Sequence, residues 1–185
     1  MSETPPGFAY HSDFLTIAEE RDVLAGVTAL EFHEVKMRGQ VARRRTTHFG
    51  WTYGYETWRI EPGPPIPDFL LALRDRAAGI GGVADDELVE VLVTHYPAGA
   101  GIGWHRDAPM FGVVVGVSLV SACRFRFQRG KGVERRTAVA ELEPRSAYVL
   151  DGQARWQWQH SIPPAKAERY SVTYRTLRRS PRRGR

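Results

Sequence analysis

The stretch LVEVLVTHYPAGAGIGWHRDAPMFGVVVGVSL, residues 88–119, decides the architecture. Two strand-length runs rich in Val and Leu flank a connection punctuated by Gly and Pro. The same texture continues downstream in CRFRFQ, RTAVAELE, SAYVLDG, WQWQHSI and RYSVTYRTL. Short, regularly spaced strands of this kind predict an antiparallel sandwich or barrel. Upstream the pattern changes. Thr16 with Glu19 three residues on is a capping box, and Leu24 and Val27 continue an apolar stripe, so a helix is expected over about 17–29. EFHEVKMR, residues 31–38, alternates like a half-buried strand. Gly39 then turns the chain into VARRRTTHFGWTYGYETW, which is both basic and aromatic. After a proline-rich connection, FLLALRDRAAGI reads as a second helix ended by Gly81 and Gly82. The expectation is a single domain, mainly β with flanking N-terminal helices. Residues 8–87 would carry the helices and the basic–aromatic segment, and 88–177 the sheet core. Residues 1–7 read as a loose start, and the arginine-rich end after about residue 178 as disordered.

Composition narrows the function classes. With 42% apolar and 25% charged residues, the 185-residue chain has the make-up of a soluble globular protein. No apolar run is long enough to span a membrane, and the first residues lack the basic start and apolar block of a signal peptide. The single cysteine, Cys123, cannot build an internal disulfide, so a reducing cytoplasm fits and the thiol reads as a buried small residue. A monomer is the default. The net charge of +5 is compatible with a polyanionic partner. Its placement says more: Lys36, Arg38, Arg43, Arg44 and Arg45 lie within ten residues, and TLRRSPRRGR closes the chain.

Inside the opening stretch, His105 and Asp107 stand two apart. On a strand that spacing means one face. An imidazole and a carboxylate aimed at one point are a salt-bridged pair, an acid/base pair or two ligands of a metal. His160, in WQWQHSIPP at the end of another expected strand, is the third ligand that a metal would need. Two imidazoles and a carboxylate leave coordination positions open, as in non-haem Fe(II) oxygenases. The plainer alternative is chance, because His-X-Asp recurs in many chains. In RYSVTYR, residues Arg169, Ser171, Thr173 and Arg175 share one face by period two. If that face points inward, its guanidiniums need anions, and a small dicarboxylate matches their fork. If it points outward, it is a solvated basic face that binds phosphate or nothing.

Together, His105-X-Asp107, His160 and Arg169-X-Ser171-X-Thr173-X-Arg175 resemble the AlkB-type Fe(II)/2-oxoglutarate-dependent dioxygenases. The likeness covers roughly 88–177, with the motifs in order, and extends upstream to DFLTIAEE and HFGWTYGY. Two positions depart from the family pattern. Ser171 replaces the asparagine of Arg-X-Asn-X-Thr-X-Arg, and Thr94 replaces the first residue of Asn-X-Tyr, leaving Tyr96 in place. A threonine hydroxyl cannot offer an amide's paired donor and acceptor.

The resemblance implies a double-stranded β-helix, a jelly roll, with Fe(II) held by His105, Asp107 and His160. It implies 2-oxoglutarate and O2 as co-substrates. Arg169 would take the far carboxylate of 2-oxoglutarate with help from Tyr96, while Thr94, Thr173 and Arg175 complete the co-substrate site. The reaction implied is oxidative removal of alkyl groups from bases of alkylated DNA or RNA, as in repair of alkylation damage to DNA, giving succinate, CO2 and formaldehyde. No Ser or Cys nucleophile is required, and no convincing triad is present. In this family the basic–aromatic region forms a nucleotide-recognition lid, which places Trp51, Tyr53 and Tyr55 near the base and Arg43, Arg44 and Arg45 near phosphates. A base taken out of the stack needs aromatic or apolar faces, and single strands need a positive groove. Otherwise these aromatics fill a hairpin core and the arginines are merely solvated. Ala108, Pro109 and Met110 follow Asp107 where some members carry a second acid that reads the base's amine, so base discrimination must come from elsewhere. His48 and His95 read as local packing or hydrogen-bonding residues, and Trp156 and Trp158 as a core wall beside His160. Two other readings stay open: the same oxygenase acting on a protein or small molecule, and a non-catalytic basic β-sandwich that binds nucleic acid.

Overall fold

A computed structural model describes residues 4–37, 39–54 and 59–178. Arg38, Tyr55 and the arginine-rich end from Arg179, which carry some of the expectations above, lie outside the described residues.

Two antiparallel sheets and a helical layer make up the molecule. The eight-stranded sheet has β1 (Phe8–His11), β10 (Ala147–Leu150), β7 (Phe111–Leu119), β12 (Arg169–Leu177), β5 (Leu88–Tyr96), β3 (Gln40–Gly54) and β2 (His33–Met37) side by side, and β4 (Arg59–Pro62) pairs with the far part of β3. The four-stranded sheet runs β6 (Ile102–His105), β11 (Gln159–Ile162), β8 (Cys123–Arg129), β9 (Arg136–Leu142). Helices α1 (Ile17–Thr28) and α2 (Asp68–Gly81) cover the outer face of the larger sheet, and a short helix, α3 (Gly152–Trp156), joins β10 to β11.

The alternation of β12 explains how the layers fit. Tyr170, Val172 and Tyr174 pack into the helix-side core with Val27, Leu70 and Leu73. Fully burying one such aliphatic side chain contributes about 1.5–3 kcal/mol. The Tyr174 hydroxyl donates to the carbonyl of Leu70 at 2.9 Å, so even the polar tip is satisfied. Arg169, Ser171, Thr173 and Arg175 occupy the alternate positions, are buried, and face the smaller sheet. The inter-sheet core holds Phe125, Phe127 and Leu142 of the smaller sheet against Val114 and Leu150 of the larger one.

The N-terminal helix begins as its sequence dictates. The Thr16 hydroxyl accepts from the Glu19 N–H at 3.2 Å, and the Glu19 carboxylate accepts from the Thr16 N–H at 2.7 Å. The second helix ends on Gly82, whose φ of 64° lies in the left-handed region that glycine adopts without penalty.

Three expectations are corrected. Within the expected loose start, Pro6 and Gly7 are tied down: the Gly7 and Pro6 carbonyls accept from the Asp151 and Ala154 N–H groups at 2.9 and 2.8 Å, and β1 adds an edge to the sheet. A four-residue edge strand carries too few positions for a period to show. The run WQWQHSI is a strand only from Gln159, because Trp156 belongs to α3. Trp158 is buried and walls the core, whereas Trp156 is 36% exposed. Finally, β6 stops at His105, so strand alternation does not position Asp107.

Candidate metal centre

His105 ends β6, and His160 sits directly opposite it on β11. Their rings meet at a centroid distance of 4.3 Å, tilted by 64°. Asp107 lies in the connection from β6 to β7, and its carboxylate returns to the same place. Its Oδ2 is 3.5 Å from Nε2 of His160. Its Oδ1 accepts from Nε and Nη2 of Arg175 at 2.8 and 2.6 Å. Oδ2 is buried and has no hydrogen-bond partner. The three residues expected from the sequence thus converge, although among the described residues no three or more His, Cys, Asp or Glu side chains close into a metal cage.

The protonation states suit a cation. Burial, reinforced by the neighbouring His105 ring, pushes His160 down to about 3, and burial also lowers His105. Both imidazoles are therefore neutral near neutral pH, the form that ligates. Nδ1 of His105 is 2.9 Å from the carbonyl of Gly103. A carbonyl only accepts, so Nδ1 carries the proton and Nε2 keeps its lone pair. Burial on its own would raise the Asp107 carboxyl, but Arg175, joined by His160, His105 and Arg155, outweighs it and holds the group well below the usual carboxylate range. Two neutral imidazoles and one carboxylate, whose buried Oδ2 is unpaired, form a donor set that fits Fe(II).

Arg175 is itself held from two sides. Its Nη1 donates to Oε2 of Glu90 at 2.7 Å, and Glu90 also faces Nδ1 of His48 at 3.4 Å. Sequence reasoning missed Glu90. Its signal was an acid in the middle of the apolar run LVEVLV, at a position that period two puts on the face of Thr94 and Tyr96. Ser118 and Arg155, which also contact this region, left no such signal.

Farther along the same face, Arg169 is 1% exposed. Its Nη2 donates to the Ser118 hydroxyl at 3.0 Å, while Nε and Nη1 are buried without partners. The Tyr96 ring lies under the guanidinium, 4.8 Å from centroid to carbon. Burial pushes the Tyr96 hydroxyl up, so it stays a proton donor, and it is hydrogen-bonded to Ser171. Thr94 is the register partner of Ser171, and both are buried, as is Thr173. An unpaired buried guanidinium is unfavourable by several kcal/mol unless an anion meets it. This cradle therefore fits a carboxylate.

The residues expected to form a lid are divided by the register of β3. Arg45 pairs with His95 on the helix-side face, and Arg43 and Arg45 are exposed. Arg44 alternates with them, is half-buried, and acts electrostatically on both Tyr96 and His105. Trp51 is 38% exposed and lines a cleft of ≈ 450 Å³ with Ile66, Leu71 and Arg74, away from the two histidines. The backbone of Tyr53 pairs with Ile60 of β4. His95 is a local packing residue: it contacts Glu168 at 2.7 Å and stacks on Tyr170 at 4.6 Å.

Comparison with known proteins places the chain. The family model described as the 2OG-Fe(II) oxygenase superfamily matches residues 7–183. An alkylated DNA repair protein ALKBH8 homolog of Arabidopsis thaliana is 28% identical over 202 residues, covering 96% of this chain and 56% of that protein. The tRNA (carboxymethyluridine(34)-5-O)-methyltransferase ALKBH8 of Mus musculus is 26% identical over 173 residues, covering 90% of this chain and 26% of its own length. The chain thus spans about half the length of the plant relative and a quarter of the mouse one. Among solved structures, OsALKBH1 superposes with a TM-score of 0.70 at 17% identity, over 95% of this chain and 99% of that one. A Pseudomonas putida prolyl-4-hydroxylase superposes with a TM-score of 0.62 at 17% identity, over 94% of each chain. At those identities the structures show a shared jelly-roll fold.

Proposed function

The chain belongs to the 2OG-Fe(II) oxygenase superfamily and is of its AlkB type, a dioxygenase that uses Fe(II), 2-oxoglutarate and O2; on that premise we propose that it oxidatively removes alkyl groups from nucleic-acid bases. The observation that carries the oxygenase part of this reading is a pair of unsatisfied buried groups on one inter-sheet face: the Oδ2 of Asp107, and the Nε and Nη1 of Arg169. The first calls for a cation and the second for an anion. Nε2 of His105, Nε2 of His160 and Asp107 would hold the iron. Arg169 would take one carboxylate of 2-oxoglutarate as a bidentate, charge-assisted pair, with Tyr96 beside it. Bound Fe(II) with 2-oxoglutarate and O2 supplies the oxidation of a C–H bond on the alkyl carbon.

The protein's part is to hold, orient and exclude water. Phe125, 5.1 Å from the His160 ring, with Phe127 and Trp158, makes the wall around the histidines apolar. The Tyr96 hydroxyl remains protonated and available to a carboxylate oxygen. Arg175, anchored by Glu90, favours the ionised form of Asp107 and holds its carboxylate inward. No side chain need accept a proton from substrate.

The basic run on β3 favours a nucleic-acid substrate, with Arg44 on the site's side of the sheet and Arg43 and Arg45 exposed beside it. Both relatives named above carry nucleic-acid functions in their names, one on alkylated DNA and one on tRNA. The test is succinate formation with methylated and unmethylated DNA and RNA oligonucleotides. Stimulation by methylated strands alone is expected. Turnover that proceeds equally without them would move the substrate to a protein or a small molecule, as the prolyl-hydroxylase fold neighbour allows.

A further inference from the structure

Arg155 is a buried arginine with no acidic contact among its hydrogen bonds. It is 2% exposed, and its donors go to main-chain carbonyls: Nε to Gly112 at 2.9 Å, and Nη2 to Ala108 at 2.8 Å and Phe111 at 2.7 Å. All three carbonyls belong to the segment that follows Asp107 into β7. Arg155 stands on α3, five residues before His160. Its guanidinium lies 4.3 Å over the Trp156 ring, which roofs it. A return strap runs from Nη1 of Arg106 to the Trp156 carbonyl at 3.3 Å. The Asp107 connection and the lead-in to the His160 strand are therefore tied in both directions.

Asp107 depends on these ties. Because β6 ends at His105, no ladder bond orients Asp107. Arg175 grips its carboxylate, but only a backbone held in place can deliver that carboxylate to Arg175. A fixed guanidinium fork can gather three diverging carbonyls, which a lysine ammonium on a flexible stem does poorly.

We propose that Arg155 is a positioning residue of the metal centre, setting the Asp107 connection against the His160 segment so that Oδ2 and the imidazole face one ion. The proposal rests on the assignment of Asp107 and His160 as ligands. Groups that orient ligands without touching the metal typically change metal affinity by about 10–100-fold.

The test is Mn(II) binding by the full chain without 2-oxoglutarate, read from the free Mn(II) signal, alongside the thermal midpoint of the metal-free protein. Arg155→Lys and Arg155→Met are compared with wild type, with Asp107→Ala, and with Val27→Ala. The last empties part of the helix-side core, far from the site. Both Arg155 variants are expected to bind Mn(II) about 10–100-fold more weakly at temperatures where they remain folded. Val27→Ala should lower the midpoint and leave Mn(II) affinity unchanged. A folded Arg155→Met with wild-type affinity overturns the proposal. So does a Val27→Ala that loses as much affinity as Arg155→Lys, or a failure of both Arg155 variants to fold, which would make the residue structural only. A wild-type chain that binds no Mn(II) overturns the ligand assignment itself, and the proposal with it.

Discussion

At the scale of single residues, Arg169 shows how a buried charge announces a ligand. Surface arginines satisfy themselves with water, but this one is enclosed by Tyr96, Ser118 and the strands beside β12, with two nitrogens unpaired. Hydrogen bonds to charged groups contribute about 1.5–3 kcal/mol each. Arg169→Ala should therefore raise the 2-oxoglutarate concentration needed for half-maximal turnover by about 10–100-fold, since about 1.4 kcal/mol is tenfold. Substrate-saturation curves in 2-oxoglutarate check this, and an unchanged curve would mean that the carboxylate binds elsewhere. The alignment of Arg169 and Arg175 on one face was legible at the start, because period two along RYSVTYR sets them with Ser171 and Thr173. The partners of Arg175 were not. The motif singled out Asp107 as a ligand, but the bond to Glu90 joins strands 85 positions apart along the chain, and no local pattern encodes it.

At the scale of elements, the helices and the site answer to different forces. The first helix is capped by its own sequence and packs on the face of the larger sheet opposite the candidate metal centre. Thr16→Ala removes the side-chain acceptor of the capping box and should lower unfolding free energy by about 1 kcal/mol. Denaturant titration checks the size, and 2-oxoglutarate turnover should be unaltered. Loss of activity at unchanged stability would contradict the separation of layers. On the other side, β3 depends on Gly50, with φ of 75°. A Cβ there would stand 2.0 Å from the Val89 carbonyl oxygen. That glycine lets one strand pair with β5 up to residue 50 and then leave to pair with β4. A basic–aromatic hairpin segment was readable from VARRRTTHFGWTYGY. The bend that separates Trp51 from Arg44 was not, because glycine permits many conformations and only the neighbouring strand selects one.

At the scale of the whole molecule, charge and layering give the chain its direction. The net charge of +5 is concentrated in arginine runs, and β3 distributes Arg43, Arg44 and Arg45 over both of its faces. Polynucleotide affinity should fall with salt, with a slope in log–log form of about 0.7 for each phosphate neutralised on a single strand. Replacing Arg43 and Arg45 with glutamine should make that slope shallower by about 0.7 for each phosphate that is no longer neutralised, as measured by anisotropy across a salt series. A slope insensitive to both substitutions would place the phosphates elsewhere. From sequence alone followed the short-strand texture, both main helices with their ends, the alternation that turns Arg169, Ser171, Thr173 and Arg175 one way, and the grouping of the two histidines and the aspartate as candidate ligands. The strands, helices and shared face are local or periodic properties, carried by neighbours a few positions apart, and the candidate ligand set was singled out by its motif. The tertiary structure alone decided that His105 and His160 become cross-strand partners and that Asp107 reaches them from outside any strand. It alone recruited Glu90, Ser118 and Arg155 to hold the groups in place. Those contacts join residues tens of positions apart, and only the closing of two sheets over one core brings them within hydrogen-bond reach.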